Sequence, residues 1–161
     1  MFRISAPLPT PTPGFTVQPF TTPTPTPVAP WECKETSISL WPDNGNIVTV
    51  GSRVRIVVNI GPIDIRQPIN VYFVIISPTG ALFSLNNDRP AMIVPGVTPY
   101  LHGAEDWGIR CQSLYLFDVD VGFGIRKGIW TLIYAMVPVN SPQGPADAVE
   151  FAMRRVLIVS Q

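Results

Sequence analysis

"RVRIVVNI", residues 53 to 60, alternates two kinds of side chain: Arg53, Arg55, Val57 and Asn59 fall on one face, and Val54, Ile56, Val58 and Ile60 on the other. A repeat of two is the period of an extended chain, so this stretch is a strand with one buried face. The same pattern continues on both sides of it. "TSISLW" (36–41) sets Ile38 and Leu40 against Ser37, Ser39 and Trp41, and "PDNGN" (42–46) is a turn signal. "INVYFVIIS" (69–77) is β-branched or aromatic almost throughout, the composition of a central strand, and "PTG" (78–80) turns it into "ALFSL" (81–85) as a hairpin.

Further along, residues 86–108 carry Pro90, Pro95 and Pro99 without a clear period, which predicts a long loop with short edge pieces at most. "QSLYLFDVDV" (112–121) is expected to set Leu114, Leu116, Asp118 and Asp120 against Tyr115, Phe117, Val119 and Val121. A glycine-rich turn, "GFGIRKG", leads into "IWTLIYAMV" (129–137), and "NSPQGPADAV" (140–149) reads as a loop or short helical turn. "EFAMRRVLIVS" (150–160) reads as the last strand; the alternative, a helix over 147–155, rests on the helix propensity of Ala146, Ala148, Ala152 and Met153. About seven strands separated by turns describe an all-β, antiparallel immunoglobulin-like sandwich, with a barrel as the alternative.

Composition divides the 161 residues in two. Residues 1–30 hold nine of the 19 prolines and a single charge, Arg3, so the expected boundary separates an extended Pro/Thr-rich arm (1–30) from a sandwich domain (31–161). Formal net charge is zero and no basic run occurs, which argues against nucleic acid as a partner. No apolar run approaches the roughly 20 residues of a membrane-spanning helix, so no membrane insertion is expected. Residues 1–30 lack the apolar segment of a secretory signal, and if the protein is exported Met1 need not be the start of its gene.

At the residue level, "GIRKGIWTLIYAMVPVNSPQG" (124–144), "INVYFVIISPTGALF" (69–83) and the threonine-proline leader resemble immunoglobulin-like modules of secreted bacterial surface proteins. The resemblance spans most of residues 31–161, rests on structural motifs, and implies an extracellular or cell-surface location. Cys33 and Cys111 belong to no CxxC pair, which argues against zinc and thiol redox chemistry and leaves a disulfide or two buried thiols. The Thr/Pro tract favours the disulfide, which would stabilise the fold by about 4 kcal/mol in the loop-entropy account.

Signals for catalysis are sparse. His102 is the sole histidine, which removes multi-histidine metal sites and leaves any acid-base pair dependent on Glu105 or Asp106 beside it. Asp118 and Asp120 share a face at i and i+2, a spacing open to acid-base chemistry or calcium but more common on the wet face of a strand. No phosphate loop or nucleophile elbow occurs, and neither an enzyme nor a cofactor is expected. Aromatic rings at Trp31, Trp41, Tyr100, Trp107, Tyr115 and Trp130 offer material for a sugar platform, with Trp107 the best placed and Trp130 expected in the core.

The leader carries the other signal. Prolines at every second position favour a polyproline II rod, about 31 Å long over residues 21–30. Between its two tracts lies "GFTVQPF" (14–20), where Phe15, Val17 and Phe20 put three apolar side chains into a spacer; Phe2 and Ile4 of "MFRIS" form a second such segment. "FTVQ" is suited to pairing as a strand on a neighbouring subunit, with Pro19 ending the pairing because it lacks an N–H. Repetition of that contact generates a head-to-tail homopolymer. Thr10, Thr12, Thr21, Thr22, Thr24 and Thr26 are the expected acceptors for O-linked glycans. A fibre subunit is therefore the first reading, and a carbohydrate-binding or adhesion module on a stalk the second.

Overall fold

The computed structural model describes residues 35–42, 45–87, 93–104, 111–142 and 144–160. The chain order is β1 (Ser37–Trp41), β2 (Ile47–Thr49), β3 (Arg53–Ile60), β4 (Ile69–Ile76), β5 (Leu82–Leu85), β6 (Ile93–Pro95), β7 (Leu101–Ala104), β8 (Gln112–Asp120), β9 (Gly128–Pro138), a 3-10 turn at Gly144–Asp147, and β10 (Glu150–Val159).

Two sheets form an immunoglobulin-like sandwich. The smaller runs β1-β3-β8; the larger runs β2-β10-β9-β4-β5-β6, with β7 pairing the first half of the β4 edge whose second half pairs β5. The chain enters the small sheet as β1, antiparallel to β3, then crosses to the large sheet, where β2 lies parallel to β10. That parallel pair corrects the expectation of a wholly antiparallel fold, and ten strands replace the expected seven. The extra ones, β2, β6 and β7, have three or four residues each, too short for a period to show. Residues 150–159 form a strand and not the alternative helix, because each of its residues through Ile158 finds a cross-strand partner on β9.

Alternation explains which side chains enter the core. Ile38 and Leu40, Ile56, Val58 and Ile60, Val71 and Phe73, Leu132, Tyr134 and Met136, and Ala152, Val156 and Ile158 all point between the sheets and are buried. At about 25 cal/mol per Å² of apolar surface this shared core is the main stabilising term. Phe73 on β4 meets Phe117 on β8 edge to face, with ring centroids 5.9 Å apart at 82°. The alternation predicted for β8 fails at one place. The β3–β8 register shifts between Ile56 and Val57, whose partners are Phe117 and Tyr115, so Leu116 is the extra residue of a β-bulge. Leu114 and Phe117 therefore share the inner side, whereas Tyr115 faces outward with Asp118 and Asp120; a two-residue period cannot anticipate an inserted residue.

Glycine matters at the entrance to the domain. A Cβ on Gly61 would lie 3.1 Å from backbone atoms of Glu35 and Thr36, and the Gly61 N–H donates to the buried Thr36 Oγ1 at 2.9 Å. The segment that leads in from the arm is thus clamped beside the C-terminal end of β3. Ser37 pairs with Asn59 there, at what is called below the entry pole.

Candidate functional site

Two surfaces stand out on this scaffold. The first is an apolar groove between the sheets at the pole opposite the chain's entry. The first turns of β3 and β9 and the last turns of β4, β8 and β10 converge there, and the groove encloses about 230 Å³ with a wholly apolar lining. Val119 and Val121 bound it on the small-sheet side, Phe83 and Ile93 on the large-sheet side, and Ile125 and Trp130 lie at the strand ends. Phe83 and Ile93 face inward because Phe83 alternates with the outward Ser84, and Ile93 pairs with the core residue Leu85. Ile93 is nonetheless 49% exposed. The reason is topological: β1 lies over β10 and β8 over β4, so among the described residues no strand of the small sheet extends beyond β8 to cover β5 and β6.

Among the described residues, no strand pairs with the edge of β8 that faces away from β3. The Val121 N–H donates to the Ser52 carbonyl at 2.9 Å and its own carbonyl accepts from Gly51 N–H at 2.7 Å, so Val121 faces β3. By alternation the backbone groups of Asp118 and the N–H of Asp120 point away from β3, toward the open side.

The second surface is a polar ladder on the outer face of the small sheet. Asp118 accepts from Arg55 Nε at 3.0 Å and from Arg53 at 3.2 Å, and Arg53 also lies 3.8 Å from Asp120. The Arg55 guanidinium sits over both Trp41, 5.3 Å from its ring centre, and Tyr115, at 5.1 Å. Burial acts to raise the Asp118 carboxyl pKa, but Arg55, with help from Tyr115 and Arg53, holds it below the ordinary value. Asp118 in turn raises the pKa of Arg55 through their hydrogen bond and charge attraction. The aspartate pair is therefore occupied by arginines, and it is a cross-strand structural network rather than an acid-base pair. Since the folded pKa of Asp118 is lowered, its contribution is fully present above the unfolded aspartate value of about 3.9 and is lost as the pH falls further. For an exposed network that contribution is at most about 1 kcal/mol per pair. Asp118→Asn should remove this part of the acid sensitivity, measured as the midpoint of urea unfolding at pH 7 and pH 3.

Other polar groups are likewise structural. Ser84, fully buried, donates to the Gly96 carbonyl at 2.7 Å and accepts from Thr98 N–H at 2.9 Å. Ser113 donates to Asn59, which donates to Ser39, across the small sheet. His102 lies exposed on β7, and its expected neighbours Glu105 and Asp106 lie outside the described residues. Among the described residues no three His, Cys, Asp or Glu side chains group to hold a metal, and no helix is long and apolar enough to cross a membrane.

Phe2, Ile4, Phe15, Val17 and Phe20, the six arm threonines, Cys33 and the platform tryptophan Trp107 lie outside the described residues. Cys111 stands just before β8 with φ of 39°, and no free cysteine occurs among the described residues. Trp130 is part of the core only in part: it packs on the core cluster and lines the groove, and its ring N–H donates to the Arg126 carbonyl at 2.8 Å.

The groove itself escaped the sequence reading, although the strand count carried a signal. Inward Phe83 and Ile93 sit on short segments that have nothing assigned to pack against them.

No protein-family model matches the chain, and no curated protein matches it. A solved structure described as the CARDB domain of the PF1109 protein in complex with di-metal ions, from Pyrococcus furiosus, aligns over 89% of this chain and 95% of its own, at 14% identity and a TM-score of 0.37.

Proposed function

We propose that the chain is a non-enzymatic structural subunit of an extracellular fibre, in which the N-terminal arm of one copy docks on the next in a head-to-tail homopolymer. One observation carries this reading: the chain enters the sandwich at one pole, where Thr36 is clamped to Gly61, while the open apolar groove lies at the other. A contact between two different surfaces at opposite poles does not close on itself, and its repetition makes a filament. Exposed apolar side chains on the outer face of the large sheet, Ile47, Ile129, Phe151, Met153 and Leu157, add further surface suited to contact between copies. A Cys33–Cys111 disulfide and glycans on the arm threonines belong to the same reading of an exported protein.

The test compares the full chain with a form lacking residues 1–30, by negative-stain images and sedimentation over a range of concentration. Filaments from the full chain and monomers from the truncated form are expected. A full chain that stays monomeric at high concentration, with association unaltered by the truncation, would sink the reading. The alternative is a carbohydrate-binding module, and the exposed stack of Trp41 on Arg55 and Tyr115 is the observation that favours it. Monomers that bind soluble polysaccharide and lose that binding in Trp41→Ala would put it first.

A further inference from the structure

The groove and the β8 edge together resemble a sandwich whose small sheet stops one strand short. The large sheet presents β5 and β6 beyond β4, yet β8 is the last described strand above them, leaving inward Phe83 and Ile93 partly in water. A strand added on β8 would meet both needs at once, because its backbone would take the outward groups of Asp118 and Asp120 while its inner side chains covered Phe83 and Ile93.

We infer that this added strand is the "FTVQ" segment, residues 15–18, of a second copy, with Phe15 and Val17 in the groove. The inference rests on the fibre reading above and identifies its acceptor. Three features select that occupant. First, size: about 230 Å³ of apolar space exceeds the roughly 150 Å³ of an apolar cavity that admits benzene, so a phenyl ring with a second small side chain fits. Second, pattern: Phe15 and Val17 lie two residues apart, about 7 Å along a strand and on one face, and Pro19 halts pairing just beyond them. "MFRIS" has the same spacing at Phe2 and Ile4 but no proline to limit its length.

Third, polarity separates a second copy from the chain's own arm. Entry pole and groove lie at opposite ends of β3, about 25 Å apart for eight extended residues. β1 runs from the entry pole toward the groove, so the arm joins the domain at the end away from its own groove, and a stiff Pro/Thr spacer there favours a neighbour as the acceptor.

Two substitutions probe the acceptor without emptying the core. Ile93→Arg places a charge at the half-exposed rim of the groove. Asp120→Pro removes an N–H that faces the open edge and breaks no backbone bond to β3, losing only the exposed 3.8 Å contact of its carboxylate with Arg53. In the full chain, both should abolish filaments at concentrations where the parent assembles, with an unfolding midpoint retained by at least one of them. A synthetic peptide of residues 10–23 should shift Trp130 fluorescence in the form lacking residues 1–30, and Ile93→Arg should weaken that binding at least about tenfold. Filaments that persist in both folded variants overturn the acceptor while leaving the fibre reading intact. Peptide binding at Trp130 without filaments of the parent would instead uphold the groove and sink the fibre. A Trp130 signal in the full chain that is independent of concentration and vanishes on removing residues 1–30 would show the chain's own arm in the groove and overturn the proposal.

Discussion

Phe73→Ala is expected to destabilise the domain by about 3 to 5 kcal/mol, the largest loss for any single substitution considered for this fold. Phe73 is fully buried on β4, the strand that pairs with β9 on one side and with β5 and β7 on the other. Its ring bridges the two sheets by meeting Phe117 edge to face, a geometry worth about 0.5 to 1.5 kcal/mol beyond the area it buries. Truncation removes that contact and the transfer energy of the ring, and it leaves a cavity between layers whose hydrogen-bonded backbones cannot collapse into it. Against a usual domain stability of about 5 to 15 kcal/mol, such a loss brings the protein close to unfolding at ambient temperature. Urea unfolding measures it directly. Phe73→Leu, which keeps most of the volume, should cost less than half as much, and equal losses for the two variants would mean that the edge-to-face contact rather than the cavity dominates.

Phe73 also shows why so much of the fold was legible. Strands β1 and β3 write their burial into the sequence as a period of two, whereas β4, β9 and β10 were legible from their length and their β-branched and aromatic composition. What was not legible depends on relations between distant segments. The Leu116 bulge is an insertion relative to β3, and nothing within residues 112–121 records how their partner is spaced. The parallel β2–β10 pair involves three residues whose partners lie more than 100 positions away. The apolar side chains on the outer face of β10, Phe151, Met153 and Leu157, were present in a strand read correctly, but two apolar faces on one strand do not say which is covered. The candidate groove is of the same kind. Val119, Phe83 and Ile93 are ordinary apolar residues in sequence, and only the sheet order, three strands facing seven, makes them the lining of an open edge. Asp118 and Asp120 illustrate the reverse case: the pair was visible as a motif, and the register that places Arg53 and Arg55 opposite them supplied its meaning.

Arg154→Ala should cost about 2 to 3 kcal/mol, by releasing the point where the chain changes sheets. Arg154 lies on the inner side of β10, in register with Leu132, yet it is a cation in a row otherwise formed by Ala152, Val156 and Ile158. Burial lowers its pKa, so the position carries a desolvation cost that hydrogen bonds must offset. They come from across the sandwich: one guanidinium nitrogen donates to the Ile38 carbonyl at 2.8 Å and the other to the Gly45 carbonyl at 2.9 Å. Ile38 belongs to β1 in the small sheet, and Gly45 precedes β2 in the large one, so a single side chain ties the strand before the crossover to the segment that ends it. Each charge-assisted bond of this kind is worth about 1.5 to 3 kcal/mol, reduced here by partial exposure. Arg154→Met separates the charge from the packing of the stem, because methionine retains an unbranched apolar chain without donors. If the crossover is held by the guanidinium, Arg154→Met should lose nearly as much as Arg154→Ala, and amide hydrogen exchange should quicken at Val48 and Leu157 before the rest of the core. A methionine variant as stable as the parent would instead assign the crossover to packing of Val48 and Val50 beneath it, and would leave the arginine with no structural role at that site.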